Sequence, residues 1–505
     1  MKVEETKIRP SVVIAGLRGK RMFVNLPMLL RIIGLLLLIE AALMTFPIVA
    51  ELVYRDGELK DFILSMAVTL ISGSLLVRLR PKNHDMGRRE AILLTALTWV
   101  ILSLFGMIPF LISHTHMSVT DAFFESINDF TTTGGSSFPA LADSSHALLL
   151  WRSVMRWLGG MGIILFTLAV APMLNNSGGI FLFNAEITGI THDKLRPRIS
   201  STARGLWLVY TLLTIALIIL LSLSDMSLFD SICDGMSIIS TSGFATLDIN
   251  GDLANSYYLK IVMTLFMFLG GVNFALIYKA FTGHFRDVKV NTTLRWYICF
   301  ILIAYVFLTI NVVLNGLAVN PDDVTVDPLF QAVGTISSTG ISEPDFAQWG
   351  SLSTIVLVIL MFIGACSGST SGGAKIDRII VLLKFLKNEF FKMMHPNNVT
   401  AVSINGRGLK LGLVQKVLAF LCLYVIVIFA SGTVLVMLEV SLRESFFYSL
   451  SAISNTGIGT DAVGLGEGFS SLPDAAKWVL SLVMLTGRLE LYTVLLIFTP
   501  YFWTK

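Results

Sequence analysis

Four short segments of small polar residues, each ending in glycine, have the composition of a cation site. They are Thr131–Gly134, Ser240–Gly243, Ser337–Gly340 and Ser454–Gly457. A monovalent cation that leaves water must exchange its hydration shell for fixed oxygens, and rings of backbone carbonyls from four loops supply such oxygens. Hydroxyl and amide side chains add oxygens, and glycine permits backbone angles that turn a carbonyl toward an axis. The candidate cation ligands are Thr132, Thr133, Gly134, Thr241, Ser242, Gly243, Ser338, Thr339, Gly340, Asn455, Thr456 and Gly457.

The residues around these segments also recur in register. The four glycines lie about 100 residues apart, a period that suits a small subdomain. Thirteen residues before each glycine is an acid, eight before is a small residue, and four before is a bulky apolar residue. The acids are Asp121, Asp230, Asp327 and Glu444. These columns predict an internal four-fold repeat. Each acid would cap the N-terminus of a short helix, where a carboxylate is stabilising; direct contact with the ion stays open as an alternative.

The composition places most of the chain in lipid. Of 505 residues, 54% are hydrophobic and 14% are charged, against roughly 25% charged in soluble domains. A bilayer core needs about 20 apolar residues in a helix. Ten stretches qualify, namely 30–52, 62–80, 91–113, 153–174, 205–224, 257–281, 295–317, 353–383 (interrupted), 412–438 and 475–499. Four further apolar stretches are too short to span and lead into the four segments, so they predict re-entrant helices.

The charge pattern predicts the orientation. Basic residues cluster at the N-terminus and in 78–89, 194–204, 279–295 and 375–416, whereas acids dominate the intervening loops. By the positive-inside rule, ten spans with both termini in the cytoplasm satisfy this pattern and place the four segments on the outer side. Arg152 and Arg156 lie at the outer start of a span and remain unexplained by the sequence.

The predicted fold class is an all-α polytopic membrane protein. It has four tandem helix–pore-helix–helix repeats in a potassium-channel-like, pseudo-four-fold arrangement, preceded by two extra transmembrane helices. Extended backbone at membrane depth is tolerated only where it lines an aqueous cavity, so the four segments are expected to converge on one axis. The predicted units are 1–85 (two-helix segment), 86–204 (repeat 1), 205–290 (repeat 2), 291–408 (repeat 3, with a gating loop at 364–375) and 409–505 (repeat 4).

Helix packing, enzymatic activity and coupled transport fit the sequence less well than ion conduction. Small residues with glycine also permit close helix packing, but four copies in register favour an ion site. An enzyme would need a polar catalytic cluster at membrane depth, and the sequence has none, so no enzymatic activity is expected. Inverted repeats of coupled carriers alternate in orientation, whereas these four copies share one.

Two features suggest a gate below the four segments. The span over 353–383 is interrupted by 364–373, which is so rich in Gly, Ser and Thr that it is a poor helix. Two explanations fit this interruption. A packing kink is the simpler one, and a flexible intramembrane loop that acts as a gate is the more specific one. Arg488 lies in the last span, where a charge normally faces a cavity or a partner; it is predicted to project into the ion path as a barrier. The candidate gating residues are Gly364, Gly368, Ser369, Gly372, Gly373, Lys375 and Arg488.

The sequence resembles the Trk/Ktr/HKT superfamily of cation transporters, and within it the bacterial TrkH/TrkG potassium-uptake subunits. Beyond the four segments, the matching stretches are 156–162 (RWLGGMG), 193–199 (DKLRPRI), 368–375 (GSTSGGAK) and 487–490 (GRLE). The resemblance covers essentially the whole chain, including the two leading helices. It departs at Gly135, where the other copies have Phe244, Ile341 and Ile458, and at Asn455.

The resemblance carries further expectations. It implies uptake of K⁺ across the bacterial cytoplasmic (inner) membrane, with K⁺ preferred over Na⁺ because all four segments end in glycine. It implies a homodimer, no covalent cofactor, and a separate cytoplasmic regulatory ring of TrkA type that binds NAD or ATP. No nucleic-acid partner is expected. The translocating subunit of a P-type potassium pump and a Na⁺-permeable family member stay open as alternatives, as does passive flux against symport with H⁺ or Na⁺.

Overall fold

The computed structural model describes residues 24–81, 87–137, 144–160, 162, 199–243, 246, 256–317, 324–341, 346–397, 400–460, 464 and 468–503. Across these ranges the chain is a bundle of α-helices, as predicted. Strands in the same ranges are confined to one antiparallel hairpin, Ser403–Ile404 with Arg407–Gly408. Its turn residues, Asn405 and Gly406, have φ of 51° and 74°, the left-handed geometry that a two-residue hairpin turn needs. The all-α prediction is therefore corrected by one small hairpin outside the apolar helices.

The leading helices pack through glycine. They are α1 (Leu26–Leu43), α2 (Thr45–Tyr54) and α3 (Leu59–Val77). A Cβ on Gly34 of α1 would lie 2.7 Å from Leu76 Cβ and 2.8 Å from the carbonyl oxygen of Gly73 on α3. Helices in lipid associate by close packing rather than by a hydrophobic driving force, so small residues at the crossing are stabilising.

The remaining helices alternate between long apolar ones and short ones. They are α4 (Arg88–Gly106), α5 (Ile108–Ile112), α6 (Val119–Phe130), α7 (His146–Gly160), α8 (Ile199–Ser222), α9 (Leu228–Ile239), α10 (Tyr257–Gly271), α11 (Phe274–Phe281), α12 (Phe285–Val290), α13 (Thr292–Leu314), α14 (Asp327–Ile336), α15 (Ser351–Ile363), α16 (Ile376–Met394), α17 (Leu411–Met437), α18 (Leu442–Ile453), α19 (Asp474–Arg488), α20 (Leu491–Ile497) and α21 (Pro500–Trp503).

The apolar helices agree with a multi-pass membrane protein. Within the described ranges, six stretches are long and apolar enough to cross a membrane, and two bent helix pairs raise the number to eight. Of the two other predicted spans, 353–383 is interrupted as expected, between α15 and α16. The last, 153–174, is described only in its first part, because most of 161–198 lies outside the described residues.

Two spans that the sequence predicts as continuous are broken, and those predictions are wrong in this respect. Helices α10 and α11 meet at 106°, and α19 and α20 meet at 119°. At the first break, the side chain of Asn273 accepts hydrogen bonds from the backbone N–H groups of Ala275 and Leu276 and so starts a new helix. At the second, Glu490 adopts a left-handed φ of 61°, which ends α19.

The four short helices that lead into the small polar segments, α6, α9, α14 and α18, pack in a cyclic order. Helix α6 contacts α4, α7 and α19; helix α9 contacts α8, α10 and α7. Helix α14 contacts α13, α15 and α10; helix α18 contacts α17, α19 and α15. Each short helix therefore touches the long helices before and after it in the chain, and also the long helix that follows the preceding short one. The last contact, α6 with α19, joins the two ends of the series.

Candidate functional site

Each short helix ends in one of the four small polar segments, and all four ends have the same backbone. The second residue of each segment is left-handed: φ is 54° at Thr132, 56° at Thr241, 56° at Ser338 and 49° at Asn455. The third residue donates its N–H to the carbonyl five residues earlier, at 2.9 to 3.0 Å, and the second donates to the carbonyl three residues earlier. This is the Schellman end of a helix, here with a non-glycine residue in the position that usually holds glycine.

The glycine that closes each segment faces the next segment. A Cβ on Gly134 would lie 2.6 Å from the carbonyl oxygen of Ser242, and one on Gly243 would lie 3.3 Å from that of Thr339. On Gly340 and Gly457 the Cβ would overlap the carbonyl oxygens of Thr456 and Thr133. The order is thus first to second, second to third, third to fourth, and fourth back to first. The four segments therefore meet in a closed ring, in which the third carbonyl of each segment lies against the closing glycine of the preceding one.

The hydroxyl side chains stiffen the segments. In three of the four segments the first and third hydroxyls pair, at 2.8 Å between Thr131 and Thr133, 2.7 Å between Ser337 and Thr339, and 2.8 Å between Ser454 and Thr456. These oxygens therefore hold the backbone in shape.

Asn455 departs from the other copies and has its own role in the packing. Its Nδ2 donates to Thr133 Oγ1 at 3.0 Å and to the carbonyl of Met484 at 2.9 Å. The amide ties the fourth segment to the first and to helix α19, a pair of bonds that needs the two donors of an amide.

The four acids of the aligned column all lie in the first turn of a short helix. In three copies a serine three residues earlier is the N-cap, and its hydroxyl accepts from the acid's backbone N–H: Ser118 with Asp121, Ser227 with Asp230, and Ser441 with Glu444. In the third copy Asp327 is itself the first helical residue and is followed by Pro328. The sequence analysis predicts the acids as helix caps and does not predict these serines.

Two of these acids also pair with a buried lysine that is distant in the chain. Lys477 Nζ lies 2.6 Å from Asp121 Oδ1, and Lys260 Nζ lies 2.6 Å from Asp327 Oδ1. Lys477 comes from α19 and Lys260 from α10, so each pair joins a short helix to the long helix of the neighbouring unit. These pairs are not predictable from local sequence, because the partners lie 67 and 356 residues apart.

A second set of aligned residues, nine positions before each glycine, forms hydrogen bonds with the chain that follows the segment. Glu125 accepts from Ser137 N–H at 3.0 Å, Asp234 accepts from Thr246 Oγ1 at 3.0 Å, and Tyr448 shares a 2.6 Å hydrogen bond with Thr460 Oγ1. Each partner lies three residues after its glycine. Chemical type does not mark this column in the sequence, because its members (Glu, Asp, Gln and Tyr) differ.

Arg152 and Arg156 have partners in the first repeat. Arg152 Nη2 lies 2.5 Å from Glu125 Oε1, and Arg156 Nε lies 2.6 Å from Asp129 Oδ1. All four side chains are at most 1% exposed. The two arginines lie behind the first segment and neutralise two buried carboxylates, which explains charges that the sequence left unexplained.

The predicted gating loop is in direct contact with the segments. Gly372 N–H donates to Ser338 Oγ at 2.6 Å, and Thr370 Oγ1 donates to the carbonyl of Gly270 at 3.1 Å. A Cβ on Gly372 would overlap the carbonyl of Ser454. Gly364, Gly368 and Gly373 have φ of 66°, 77° and 78°, angles that exclude a helix here. The buried Ser369 donates to the carbonyl of Cys366 at 2.6 Å.

Arg488 fastens this loop to a neighbouring helix. Its Nη1 donates to the carbonyl of Thr370 at 2.7 Å, and its Nη2 donates to the carbonyl of Gly159 on α7 at 2.8 Å. Lys375, buried and with a φ of 73°, donates from Nζ to the carbonyl of Ser371. Glu490 pairs with Arg378 of α16. The positive side chains therefore converge on the loop, beneath the ring of carbonyls.

Some predicted features lie outside the described residues. These are the 193–198 part of the DKLRPRI stretch, Met161, Phe244 and most of the basic N-terminal segment.

Comparisons with known proteins identify relatives along nearly the whole chain. The family model for TrkH, a cation transport protein, matches residues 58–504. The Trk system potassium uptake protein TrkH of Salmonella typhimurium is 33% identical over 481 residues, 94% of this chain and 99% of that protein. The TrkG protein of Escherichia coli is 29% identical over 478 residues, 93% of this chain and 97% of that protein. The crystal structure of the potassium transporter TrkH from Vibrio parahaemolyticus matches with a TM-score of 0.85 at 31% identity, over 95% of this chain and 100% of that one.

Proposed function

The chain belongs to the TrkH family of cation transport proteins, and we propose that it carries K⁺ into the bacterial cell through a central filter built from its four small polar segments. The observation that carries the proposal is the closed ring in which each closing glycine faces the third carbonyl of the next segment. This ring brings four backbone carbonyls together, and rings of backbone carbonyls from four loops replace the hydration shell of K⁺ in potassium channels. The four-fold repeat and the predicted unit boundaries belong to this proposal.

The filter residues have separate roles in it. The backbone carbonyls of Thr133, Ser242, Thr339 and Thr456 would bind the ion together with those of Thr132, Thr241, Ser338 and Asn455. Gly134, Gly243, Gly340 and Gly457 make room for the neighbouring carbonyl, since a Cβ at these positions would meet it. The negative C-terminal dipole ends of α6, α9, α14 and α18 point toward the ring and favour a cation there.

Residues 364–375 and Arg488 would form the gate. The hydrogen bonds of the loop to Ser338 of the third segment and to the Gly270 carbonyl of α10 support a position next to the ring, where the loop would block the path. Arg488 places a positive charge beside that path, which opposes a cation in a region of low dielectric. Opening requires the bonds of Arg488 to Thr370 and Gly159 to break.

The family also suggests the setting. We infer a homodimer in the inner membrane, with both termini in the cytoplasm and a TrkA-type ring that binds NAD or ATP and moves the gating loop. The relatives are named as parts of a Trk system, which supports a separate partner. Whether uptake is passive or coupled to H⁺ or Na⁺ is a question for flux measurements across an imposed gradient.

One experiment tests the filter. The chain is expressed in a bacterium that lacks its own potassium uptake systems, and growth is followed at low K⁺. Gly134→Ser is expected to abolish rescue, because the new side chain would overlap the Ser242 carbonyl. Gly283→Ser is the matched control: its φ of 86° is close to the 88° of Gly134, but no atom lies within 4 Å of its Cβ position. Equal rescue by both variants, at equal protein levels in the membrane, would refute the filter assignment.

A further inference from the structure

The residue after the closing glycine is bulky in three of the four small polar segments, but in the first segment it is Gly135. In the third and fourth segments it is Ile341 and Ile458, whose side chains are buried in the main apolar core. These two segments are therefore anchored in the core by a side chain of their own. The first segment has no such side chain.

An aromatic ring from a distant part of the chain occupies the space beside Gly135. A Cβ on Gly135 would lie 2.5, 2.8 and 3.0 Å from Cε2, Cδ2 and Cζ of Phe469, and no other atom is as close. Gly135 is not in the left-handed region, so its backbone would accept a side chain and only the ring excludes one. Phe469 is buried and lies in the chain that follows the fourth segment.

The ring of Phe469 packs between two of the short helices. Its centroid lies 4.8 Å from that of Tyr448 on α18 and 5.9 Å from that of Phe124 on α6. Both of these side chains are buried as well. The ring therefore contacts the helix that leads into the fourth segment, the helix that leads into the first segment, and Gly135 itself.

The turn that carries Phe469 is fastened to α6. This 3₁₀ turn spans Phe469–Ser471. Lys477 Nζ donates to the carbonyl of Ser470 at 3.2 Å and also pairs with Asp121 of α6 at 2.6 Å. One buried lysine thus connects the turn to the start of the first short helix, which fixes the ring relative to the first segment.

Gly135 lies at the junction between the fourth and first segments. A Cβ on Gly457 would overlap the backbone nitrogen of Gly135 as well as the carbonyl oxygen of Thr133. A shift of Gly135 therefore changes the spacing of this junction. Discrimination between K⁺ and Na⁺ depends on the size of a carbonyl site or on the number and field strength of its carbonyls, and both change when one segment moves.

We propose that Phe469 supplies, from the far end of the chain, the apolar side chain that the first segment lacks, and that it is a positioning residue for the selection of K⁺ over Na⁺. The ring holds Gly135 against Gly457 and so keeps the spacing of the junction. Phe469 acts through the backbone of Gly135 and not through contact with the ion. This role rests on the proposed filter.

The test measures rubidium uptake into proteoliposomes and its inhibition by Na⁺. Phe469→Ala removes the ring, so Na⁺ inhibition is expected to rise several-fold while rubidium uptake continues. Phe469→Leu keeps an apolar side chain of intermediate size and should give a smaller rise; it is the test variant if Phe469→Ala does not reach the membrane. Phe62→Ala truncates a fully buried phenylalanine of α3. It is the matched control for lost core volume and should leave Na⁺ inhibition as in the wild type.

A double variant separates positioning from simple packing. Gly135→Ile gives the first segment the side chain that the third and fourth segments have. Alone it should reduce rubidium uptake strongly, because the new Cβ would meet the Phe469 ring. Combined with Phe469→Ala, the isoleucine fills the vacated space. Uptake and Na⁺ inhibition should then return to within about twofold of the wild type, since substitutions at contacting residues are not additive.

The outcomes distinguish this role from the filter itself. Wild-type Na⁺ inhibition in both Phe469→Ala and Phe469→Leu would overturn the role of Phe469 and leave the filter proposal intact. So would a double variant that discriminates no better than Phe469→Ala. Absence of rubidium uptake by the wild-type chain would instead overturn the filter proposal, and the role of Phe469 with it.

Discussion

Gly457 and Thr133 lie at opposite ends of the repeated region, yet a Cβ on Gly457 would overlap the carbonyl oxygen of Thr133. This relationship closes the ring, because it brings the fourth segment back against the first. Asn455 reinforces the same junction through its hydrogen bond to Thr133 Oγ1. The junction between the fourth and first segments is therefore fixed by both backbone and side chain.

The four filter glycines should differ in their tolerance of alanine. A Cβ on Gly243 would have 3.3 Å to its nearest carbonyl oxygen, whereas one on Gly340 would overlap the Thr456 carbonyl. The left-handed φ costs about 1–2 kcal/mol for a non-glycine residue at either position. Gly243→Ala should therefore retain several-fold more rubidium uptake in proteoliposomes than Gly340→Ala. Gly283→Ala serves as the control for φ alone, and the reverse order of the two filter variants would contradict the ring geometry.

Arg488→Gln should raise basal flux. The substitution removes a positive charge and weakens the hydrogen bonds to Thr370 and Gly159. Hydrogen bonds to charged groups contribute about 1.5–3 kcal/mol each, so the closed loop should lose enough stability for basal rubidium uptake to rise roughly tenfold or more. The measurement uses proteoliposomes without any regulatory protein. Arg407→Gln, in the exposed hairpin, is the control, and unchanged flux in Arg488→Gln would exclude a gating role.

Asn455→Asp should reduce discrimination between K⁺ and Na⁺. A carboxylate cannot donate the two hydrogen bonds that now reach Thr133 Oγ1 and the Met484 carbonyl. The junction between the fourth and first segments would loosen, and the ring would fit K⁺ less closely. Competition of Na⁺ against rubidium uptake reports the change, expected as a several-fold rise in Na⁺ inhibition. Asn397→Asp, at an exposed position, is the control and should behave as wild type. Wild-type behaviour of Asn455→Asp would contradict a role of the amide in the filter.

The buried pair of Arg156 and Asp129 should show strong coupling. Arg156→Met alone leaves the Asp129 carboxylate buried without its closest partner, and breaking such a pair costs about 3–5 kcal/mol. Asp129→Asn combined with Arg156→Met removes both charges and should recover much of that loss. Thermal unfolding of the single and double variants in detergent measures the coupling. Additive effects of the two substitutions would mean that the pair is not a unit.

Several features followed from the sequence because they depend on local pattern. Hydrophobic runs of about 20 residues identify membrane helices whatever surrounds them, and the described helices follow the predicted spans apart from the breaks after α10 and α19. The four segments were found because helix termination by small residues and glycine is also local. The family was recognised from short stretches around these segments, and the comparisons confirm it. The potassium filter, its gate and the regulatory partner stay proposals.

Other features depend on residues that are distant in the chain, and only the tertiary structure decided them. The partners of Arg152 and Arg156 lie 27 residues earlier, on another helix. Gly135 lacks the bulky side chain of the other copies because Phe469 takes that space, with Cε2 2.5 Å from the Cβ position. The breaks after α10 and α19 arise where Asn273 contacts the loop 364–375 and Glu490 pairs with Arg378 of α16. Hydropathy averages over such sites, so the helices and their order are predictable from the sequence, whereas packing determines which groups meet.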